Sequence, residues 1–452
     1  MAKHMRCGTL FTGCEDEPIR DATIVIEGDR IAAVETRAKA PEPKPGDEVV
    51  DLSNRFVMPG LSDIHVHLSY GNAKTEEDID LFASVEYRAL RGLAAAQKVL
   101  RAGFTSMADP ATTGRVSLAI RDAIEAGLFV GPRMTVSGRQ ITSRQGLSDW
   151  YPRWIGVPET SVGVLVRSRD EMLEEVRGQV KDGVDFIKIA IDGDTMNPST
   201  GLAAGFTQEE VGLMVAEAHR LGKKVVVHAR GQEATLYSAR AGADVILHAS
   251  WMDDGTVEEV KRSGAMICPT LTMPANNVEF SRPGDPAYYG FAHGHRAELA
   301  AARESLTKAR RAGVTFLVGT DSGFAITPYG EFHAKELELF VTMLGFTPAE
   351  ALRCATENNA HFLKKGAEAG VLAPGRLADI LIVDGDPLAD IRILQDRTRI
   401  KDVLLGGASA RPQINDAARQ LRGETSYTMW NDVYTQARLA ELAAGEKRLA
   451  AE

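Results

Sequence analysis

The stretch FVMPGLSDIHVH, residues 56–67, is the first of eight short apolar runs in the sequence. The runs are rich in β-branched residues, which favours strands, and longer helix-like stretches separate them. One such stretch, TQEEVGLMVAEAHRLG at 207–222, is amphipathic and ends in glycine, as helices often do. The other seven runs are GFTSMADP (103–110), GPRMTVSG (131–138), VDFIKIAI (184–191), KKVVVHA (223–229), ADVILHAS (243–250), AMICPTL (265–271) and VTFLVGTDSG (314–323).

Eight strand-and-helix units over about 300 residues predict an α/β fold, a (β/α)8 TIM barrel, at 58–365. An open doubly wound sheet fits less well, since the sequence has no GxGxxG fingerprint. Strand-like runs around Gly-Asp turns lie on both sides of the barrel, in 1–57 and 366–411. They predict one small β-sandwich domain built from both termini. Residues 412–452 predict a helical extension, whose Trp430 and Tyr434 would pack on the same subunit or on an oligomer partner.

The composition restricts the classes of partner. The chain has 452 residues, 44% of them hydrophobic and 25% charged, with a formal net charge of -10. This charge argues against nucleic acid, so we expect a small-molecule substrate. The N-terminal residues lack a signal-peptide pattern and no apolar segment is long enough for a membrane span, which predicts a cytoplasmic protein without membrane partners. A homo-oligomer is expected from the general tendency toward symmetric assembly.

Two histidines near the end of the first run suggest a metal site. His65 and His67 are one residue apart, so in an extended strand their side chains point to the same face. A hydrogen-bonded pair without metal is an alternative, and a catalytic zinc-type site needs at least three protein ligands. Four further candidates lie at the ends of later runs, where TIM barrels carry their chemistry: Lys188, His228, His248 and Asp321.

Lys188 is unusual among these candidates, because a protonated amine repels a cation and is costly to bury. Burial lowers the pKa of an amine, and a neutral lysine can capture carbon dioxide to form an anionic carbamate. Such a carbamate can bridge two metal ions. An ordinary ion pair is the alternative.

Together, the six residues resemble the metal set of the amidohydrolase superfamily. The split β domain is similar to that of the urease and imidazolonepropionase relatives, and GTDSGFAITPYGEFHAKELELF at 319–340 is similar to the hydrolases of phenylureas and of molinate. The resemblance implies metal ligands at His65, His67, Lys188, His228, His248 and Asp321. It also implies two divalent ions per subunit bridged by carboxylated Lys188, with zinc expected first and cobalt, manganese or iron as alternatives.

The resemblance implies hydrolysis of an amide, urea or carbamate C–N bond by a metal-activated hydroxide. Asp321 would act as base and then as acid, and His248 would orient substrate or metal. The expected substrate is small and fairly apolar, such as a phenylurea or (thio)carbamate. Alternatives are an Xaa-Pro or Xaa-Arg dipeptidase, an N-acyl amino acid hydrolase, and a catalytically dead assembly protein. The last is disfavoured because all six ligand types are present.

Aromatic and basic residues in the loops after the strands predict an apolar pocket over one barrel mouth. Arg139, Arg144 or Arg230 could also hold a substrate carboxylate. The expected pocket residues are Arg139, Trp150, Trp154, Arg230, Trp251, Tyr288, Phe324, Tyr329 and His333.

Overall fold

A computed structural model describes residues 1–193, 202–281, 291–412, 414 and 434–449. The strands in these ranges are β1 (Ala2–Leu10), β2 (Ile19–Glu27), β3 (Arg30–Thr36), β4 (Glu48–Pro59), β5 (Leu61–Asp63), β6 (Phe104–Asp109), β7 (Arg133–Val136), β8 (Gln140–Thr142), β9 (Gly163–Leu165), β10 (Phe186–Ala190), β11 (Lys224–Ala229), β12 (Val245–His248), β13 (Met266–Cys268), β14 (Ile380–Val383), β15 (Ile400–Leu405) and β16 (Ala408–Ser409). The helices are α1 (Glu76–Asp80), α2 (Val85–Arg101), α3 (Val116–Glu125), α4 (Arg169–Asp182), α5 (Gln208–Arg220), α6 (Gln232–Ala241), α7 (Asp254–Ser263), α8 (Thr272–Phe280), α9 (Ala292–Ala312), α10 (Lys335–Leu344), α11 (Pro348–Arg353) and α12 (Gln436–Leu449).

Parallel strands form the predicted barrel. The strands β5, β6 and β7 pair in one sheet, and β13, β12, β11, β10, β8 and β9 pair in that order in another. Residues 315–318 take the place of the eighth strand, between β13 and β5. Three backbone hydrogen bonds close the circle across the gaps between the sheets: Asp185 N to Val136 O (2.8 Å), Leu317 N to Ile267 O (2.8 Å) and Ile64 N to Val318 O (3.0 Å).

Local signals fix the helices around the barrel. The predicted helix at 207–222 is α5, and Thr207 and Glu210 cap its start with a reciprocal capping box. Ser168 caps α4, which ends at Gly183 in the left-handed region, with φ of 90°. These short connections return the chain to the next strand.

The small domain is one seven-stranded sheet in the order β16-β15-β14-β4-β1-β2-β3, so both termini build it, as predicted. The strands of this sheet contribute to an apolar core of their own, which includes Met5, Ile24 and Ile380. At the edge strand β3, Ile31 N donates to Arg376 O, and Ala378 N donates to Asp29 O in the turn before it. Because β4 runs to Pro59, it leads directly into the first barrel strand.

The C-terminal region is described only in part. Most of the predicted extension at 412–452, including Trp430, lies outside the described residues, whereas Tyr434 and α12 lie within them. Among the helices that the structure describes, none has both the length and the hydropathy that crossing a membrane requires.

Candidate metal centre and substrate cavity

Strand alternation directs two of the candidate ligands into the barrel. Phe186 and Val226 belong to the apolar cluster that also contains residues of the other barrel strands, whereas the next residues, such as Ile187, belong to the larger core cluster. Since side chains alternate along a strand, Lys188 and His228 lie one layer above Phe186 and Val226, at the carboxyl ends of β10 and β11. Their side chains are almost fully buried, at 1% and 3% exposed.

His248 breaks this alternation. It follows the inward-facing Leu247 directly, and its backbone is in the left-handed region, with φ of 72°. Such a conformation is uncommon for a residue other than glycine and clusters at functional sites. The turn brings the His248 ring to 4.6 Å from that of His228 and 5.5 Å from that of His65, measured between ring centroids. The strain therefore places a third imidazole in the same cluster.

Asp321 faces the histidine pair of the first barrel strand. Its Oδ1 lies 3.3 Å from His65 Nε2 and 3.1 Å from His67 Nε2. Gly319, two residues earlier, leaves the room for this approach, because a Cβ there would lie 2.7 Å from His65 Cβ. All three polar side chains are buried, so the carboxylate and both rings converge away from bulk water.

The donor set fits a divalent metal ion. One ligand atom each from His65, His248 and Asp321 lies within 4.8 Å of the others. Thr270 Oγ1 lies 2.5 Å from His248 Nδ1, which fixes the ring, while His248 Nε2 is buried with no hydrogen-bond partner among the described residues. A buried imidazole nitrogen without a partner is costly in an apolar setting and suits a metal ligand.

Burial also sets the protonation states that metal binding requires. It lowers the pKa of His65, His228 and His248 well below the usual value, which keeps these rings neutral. It lowers the pKa of Lys188 to about 7. Burial alone would raise the pKa of Asp321, but its electrostatic interactions with the His65 and His67 side chains and a hydrogen bond from His67 hold it below its usual value. His65, His228 and His248 thus offer neutral nitrogen donors beside one carboxylate.

Three buried aspartates that the sequence analysis missed support the strand ends. Asp63 Oδ1 accepts from His65 N (2.9 Å), and Asp109 Oδ2 accepts from Leu68 N (3.0 Å). Asp192 Oδ2 accepts from Arg230 N and Gly231 N, at 2.9 and 2.7 Å. Each follows an apolar run, so a signal for them was present in the sequence.

A cavity of about 160 Å³ opens above the ligands. Five of the six candidate ligands line it: His65, His67, Lys188, His228 and Asp321. Apolar side chains and a few polar groups form the walls, and the chain carries charged groups at the rim. The wall and rim residues are Tyr70, Lys74, Thr75, Glu76, Glu77, Ile79, Gln140, Leu147, Trp150, Arg230, Met273, Phe291 and Phe324.

Three of the expected pocket residues line this cavity: Trp150, Arg230 and Phe324. The side chain of Arg230 is buried and pairs with Glu298 of α9, which also accepts from Ser250 Oγ. Arg230 directly follows β11 and places a positively charged side chain in the cavity lining. Tyr288 lies outside the described residues.

The prediction is wrong for the other expected pocket residues that the structure describes, because they lie outside this cavity. Trp154 is 86% exposed, and Trp251 lines a separate surface depression. The Arg139 guanidinium donates hydrogen bonds to backbone carbonyls, including Ser161 O at 2.9 Å, and Arg144 forms an ion pair with Asp149.

Tyr329 and His333 lie behind the ligands instead of in the cavity lining. The Tyr329 hydroxyl donates to His67 O at 2.5 Å, and His333 Nδ1 lies 2.7 Å from Asp63 Oδ2. Both are buried, so they support the first barrel strand and its loop.

Tyr70 is a cavity residue that the sequence analysis did not identify. Its ring stacks on that of His67, with centroids 4.3 Å apart and planes at 6°, and meets Phe324 edge-on at 5.1 Å. Burial raises the pKa of its hydroxyl well above the usual value, so the group stays protonated. Tyr70 therefore offers both an aromatic wall and a hydrogen-bond donor.

Comparison with known proteins agrees with this geometry. The model of the amidohydrolase family matches residues 56–409. The chain belongs to the amidohydrolase family. As a member, it is a hydrolase that acts on C–N bonds, and its strand-end cluster is of the kind with which the family binds divalent metal.

This amidohydrolase is similar in sequence or structure to several characterised proteins. Ochratoxinase of Aspergillus niger is 30% identical over 429 residues, covering 88% of this chain and 85% of the relative. A crystal structure of an Xaa-Pro dipeptidase with bound methionine superposes with a TM-score of 0.82 and 27% identity, covering 90% of this chain and 99% of that one. Phenylurea hydrolase B has a TM-score of 0.74 at 24% identity, covering 92% and 99%, and shows the shared fold alone.

Proposed function

We propose that this amidohydrolase cleaves an amide bond in a small substrate that carries an apolar group beside a carboxylate, such as an N-acyl amino acid or a dipeptide. The observation that carries the proposal is the convergence of His65, His67 and Asp321 below a cavity with aromatic walls. Asp321 Oδ1 lies 3.3 Å from His65 Nε2 and 3.1 Å from His67 Nε2. Such a site brings a water molecule and a carbonyl carbon to one place.

The proposed ligands are the six strand-end residues, with two ions and zinc as the first expectation. When bound, divalent cations would polarise the scissile carbonyl and lower the pKa of the attacking water. Lys188 would supply an anionic ligand as its carbamate. Because burial lowers its pKa to about 7, a large fraction of the amine is neutral at neutral pH. The neutral nitrogen adds to carbon dioxide and loses a proton, which gives the carbamate.

Asp321 is proposed as the proton carrier. Its carboxylate stays ionised because the neighbouring histidines hold its pKa down. It accepts a proton from the attacking water and gives that proton to the departing amine nitrogen. His248, fixed by Thr270, holds its Nε2 toward the cluster as a ligand.

The walls of the cavity support the substrate class. Tyr70, Trp150 and Phe324 offer apolar surface, and Arg230 offers a positive group in the same cavity. A guanidinium has five N–H donors in a planar fork, so it can hold both Glu298 and a substrate carboxylate. The similarity to an Xaa-Pro dipeptidase, at 27% identity, is consistent with an amide substrate.

A phenylurea or (thio)carbamate is the second candidate. The stacked Tyr70 and the edge-on Phe324 would suit an aryl group that lacks a carboxylate. A homo-oligomer remains a prediction for either candidate.

A substrate panel with metal analysis tests the proposal. The purified protein is loaded with zinc, cobalt or manganese and assayed against N-acetylphenylalanine, a prolyl dipeptide, an anilide, a phenylurea and a thiocarbamate. We expect two metal ions per subunit and the highest kcat/KM with the carboxylate-bearing amides. Turnover of the phenylurea alone would favour the second candidate, and absence of bound metal would contradict both.

A further inference from the structure

The C-terminal segment, residues 434–449, packs against the substrate cavity from outside. Tyr434 is 4% exposed and belongs to a hydrophobic cluster. The cluster contains Met273, Ala325, Ile326 and Tyr434, with Phe280, Phe324 and Leu439 packed against it. Two of these side chains, Met273 and Phe324, also line the cavity above the metal centre. The C-terminal segment therefore supports one wall of the cavity on the same subunit.

Polar contacts anchor the segment to the loop that follows Asp321. Gln436 Nε2 donates to Glu331 O at 2.6 Å, and Gln436 N donates to Glu331 Oε2 at 3.3 Å. The other carboxylate oxygen of Glu331 lies 3.1 Å from Arg397 of the small domain. Glu331 thus joins the C-terminal segment, the small domain and the loop that follows Asp321 in one partly buried contact.

The loop itself couples this contact to the cavity. Thr327 Oγ1 donates to Asp321 O at 3.0 Å, so the loop folds back on the candidate base. Asn276 of α8 donates to Ile326 O at 2.9 Å, which ties the same cluster to the helix that carries Met273. Phe324 lies between these bonds. A shift at Tyr434 would therefore move the two cavity side chains before it moved the ligands.

The C-terminal segment lies beyond the part of the chain that the family model matches, which ends at residue 409. The wall it supports is thus completed by residues outside the matched region.

We propose that the C-terminal segment is part of the substrate site, with Tyr434 and Gln436 as positioning residues that hold Phe324 and Met273. It sets the size of the apolar end of the cavity and so selects the apolar group of the substrate. The statement about selection rests on the proposed function, whereas the statement about positioning does not.

Three measurements on the metal-loaded chain of 452 residues test this. Tyr434→Ala removes the ring, Tyr434→Phe keeps it, and Gln436→Ala removes only the polar anchor. Arg438→Ala is the matched control on the same helix, since its side chain is 54% exposed and pairs with Glu441. Hydrogen exchange of the peptide spanning 322–330 is followed, together with kcat and KM for N-acetylphenylalanine and N-acetylalanine and the metal content.

For Tyr434→Ala we expect exchange of the 322–330 amides to be faster by about tenfold, because the loop loses its packing. We expect KM for N-acetylphenylalanine to rise about tenfold, with KM for N-acetylalanine and kcat for both within about threefold. Gln436→Ala should give smaller changes of the same kind, and Tyr434→Phe and Arg438→Ala should match the wild type.

Unchanged exchange in Tyr434→Ala would overturn the positioning role. If the metal content and kcat fell while KM rose, the segment would have a general structural role, and the proposal on selection would be overturned. If the wild type hydrolyses none of the carboxylate-bearing amides of the panel, the proposed function fails separately. The substrate then comes from the panel member that is hydrolysed, and the exchange result still decides the positioning role.

Discussion

The floor and the wall of the cavity are built in different ways. The floor consists of side chains at strand ends, and polar contacts fix it, such as Thr270 on His248 and Asp63 on the backbone of His65. The wall consists of Tyr70, Trp150 and Phe324 from separate loops and Met273 from α8, which pack mainly through apolar contacts. From this difference we expect the barrel to hold the chemistry in place and the wall to select what the chemistry acts on.

Replacing the candidate base should give the largest effect and tests the floor directly. Asp321→Asn keeps the shape and one ligand oxygen but cannot take the proton, so we expect kcat to fall by about 10³-fold. Steady-state kinetics measures this loss, and metal analysis should show that most of the metal remains. A variant with wild-type kcat would rule out the proton role of Asp321.

Lys188 gives the second test of the floor. Lys188→Ala removes the proposed bridge, so we expect one of two ions to be lost and kcat to fall by about 10²-fold. Calorimetric titration with zinc measures the stoichiometry, and acetate or propionate should restore part of it. Lys188→Glu, which keeps an anionic oxygen, is the matched control and should lose less.

The pH dependence of Lys188 follows from its lowered pKa. Burial moves this pKa from 10.5 to about 7, so the amine is protonated and inert below pH 7 and mostly neutral above it. In ¹³C-bicarbonate we therefore expect the carbamate signal of the metal-free protein to grow as pH rises through 7. A signal that grows only near pH 10 would mean that the amine is not desolvated.

Removing a side chain that positions a metal ligand should have a smaller effect than removing the ligand. Thr270→Val removes the hydroxyl that holds His248 Nδ1 but keeps the shape, so metal affinity should fall by about 10- to 100-fold. Thr272→Val, in the next turn and bonded to Glu336 instead, is the control. Equal losses in the two variants would indicate that only the fold of this turn matters.

The wall should show the smallest effect and should change selection more than rate. Phe324→Ala removes an aromatic contact with Tyr70, so KM for an aromatic substrate should rise about tenfold, about 1.4 kcal/mol, with little change in kcat. Steady-state kinetics with N-acetylphenylalanine checks this. A fall in kcat as large as that of Asp321→Asn would erase the distinction between floor and wall.

The sequence analysis located the floor because strand geometry converts spacing into direction. His65 and His67 share a face, and Lys188 and His228 end apolar runs, so the barrel alone brings them together. The His248 side chain lies in the cluster because its backbone is in the left-handed region, which no pattern in the sequence predicts. Its position at a strand end was still sufficient to predict its place.

The wall was harder to predict, because the length of a loop does not fix where its side chains point. Trp154 is exposed although Trp150, four residues earlier, lines the cavity. Tyr329 and His333 follow Asp321 in the chain, but the Tyr329 hydroxyl hydrogen-bonds to His67 O and the His333 ring hydrogen-bonds to Asp63. Tertiary contacts such as those of Tyr434 are not visible in local sequence at all.

Anomalous diffraction from crystals grown with zinc tests the central claim most directly. The account predicts a pair of peaks at the zinc edge among the side chains of His65, His67, Lys188, His228, His248 and Asp321, with density for a carbamate on Lys188. A map without any peak between the imidazoles would contradict it.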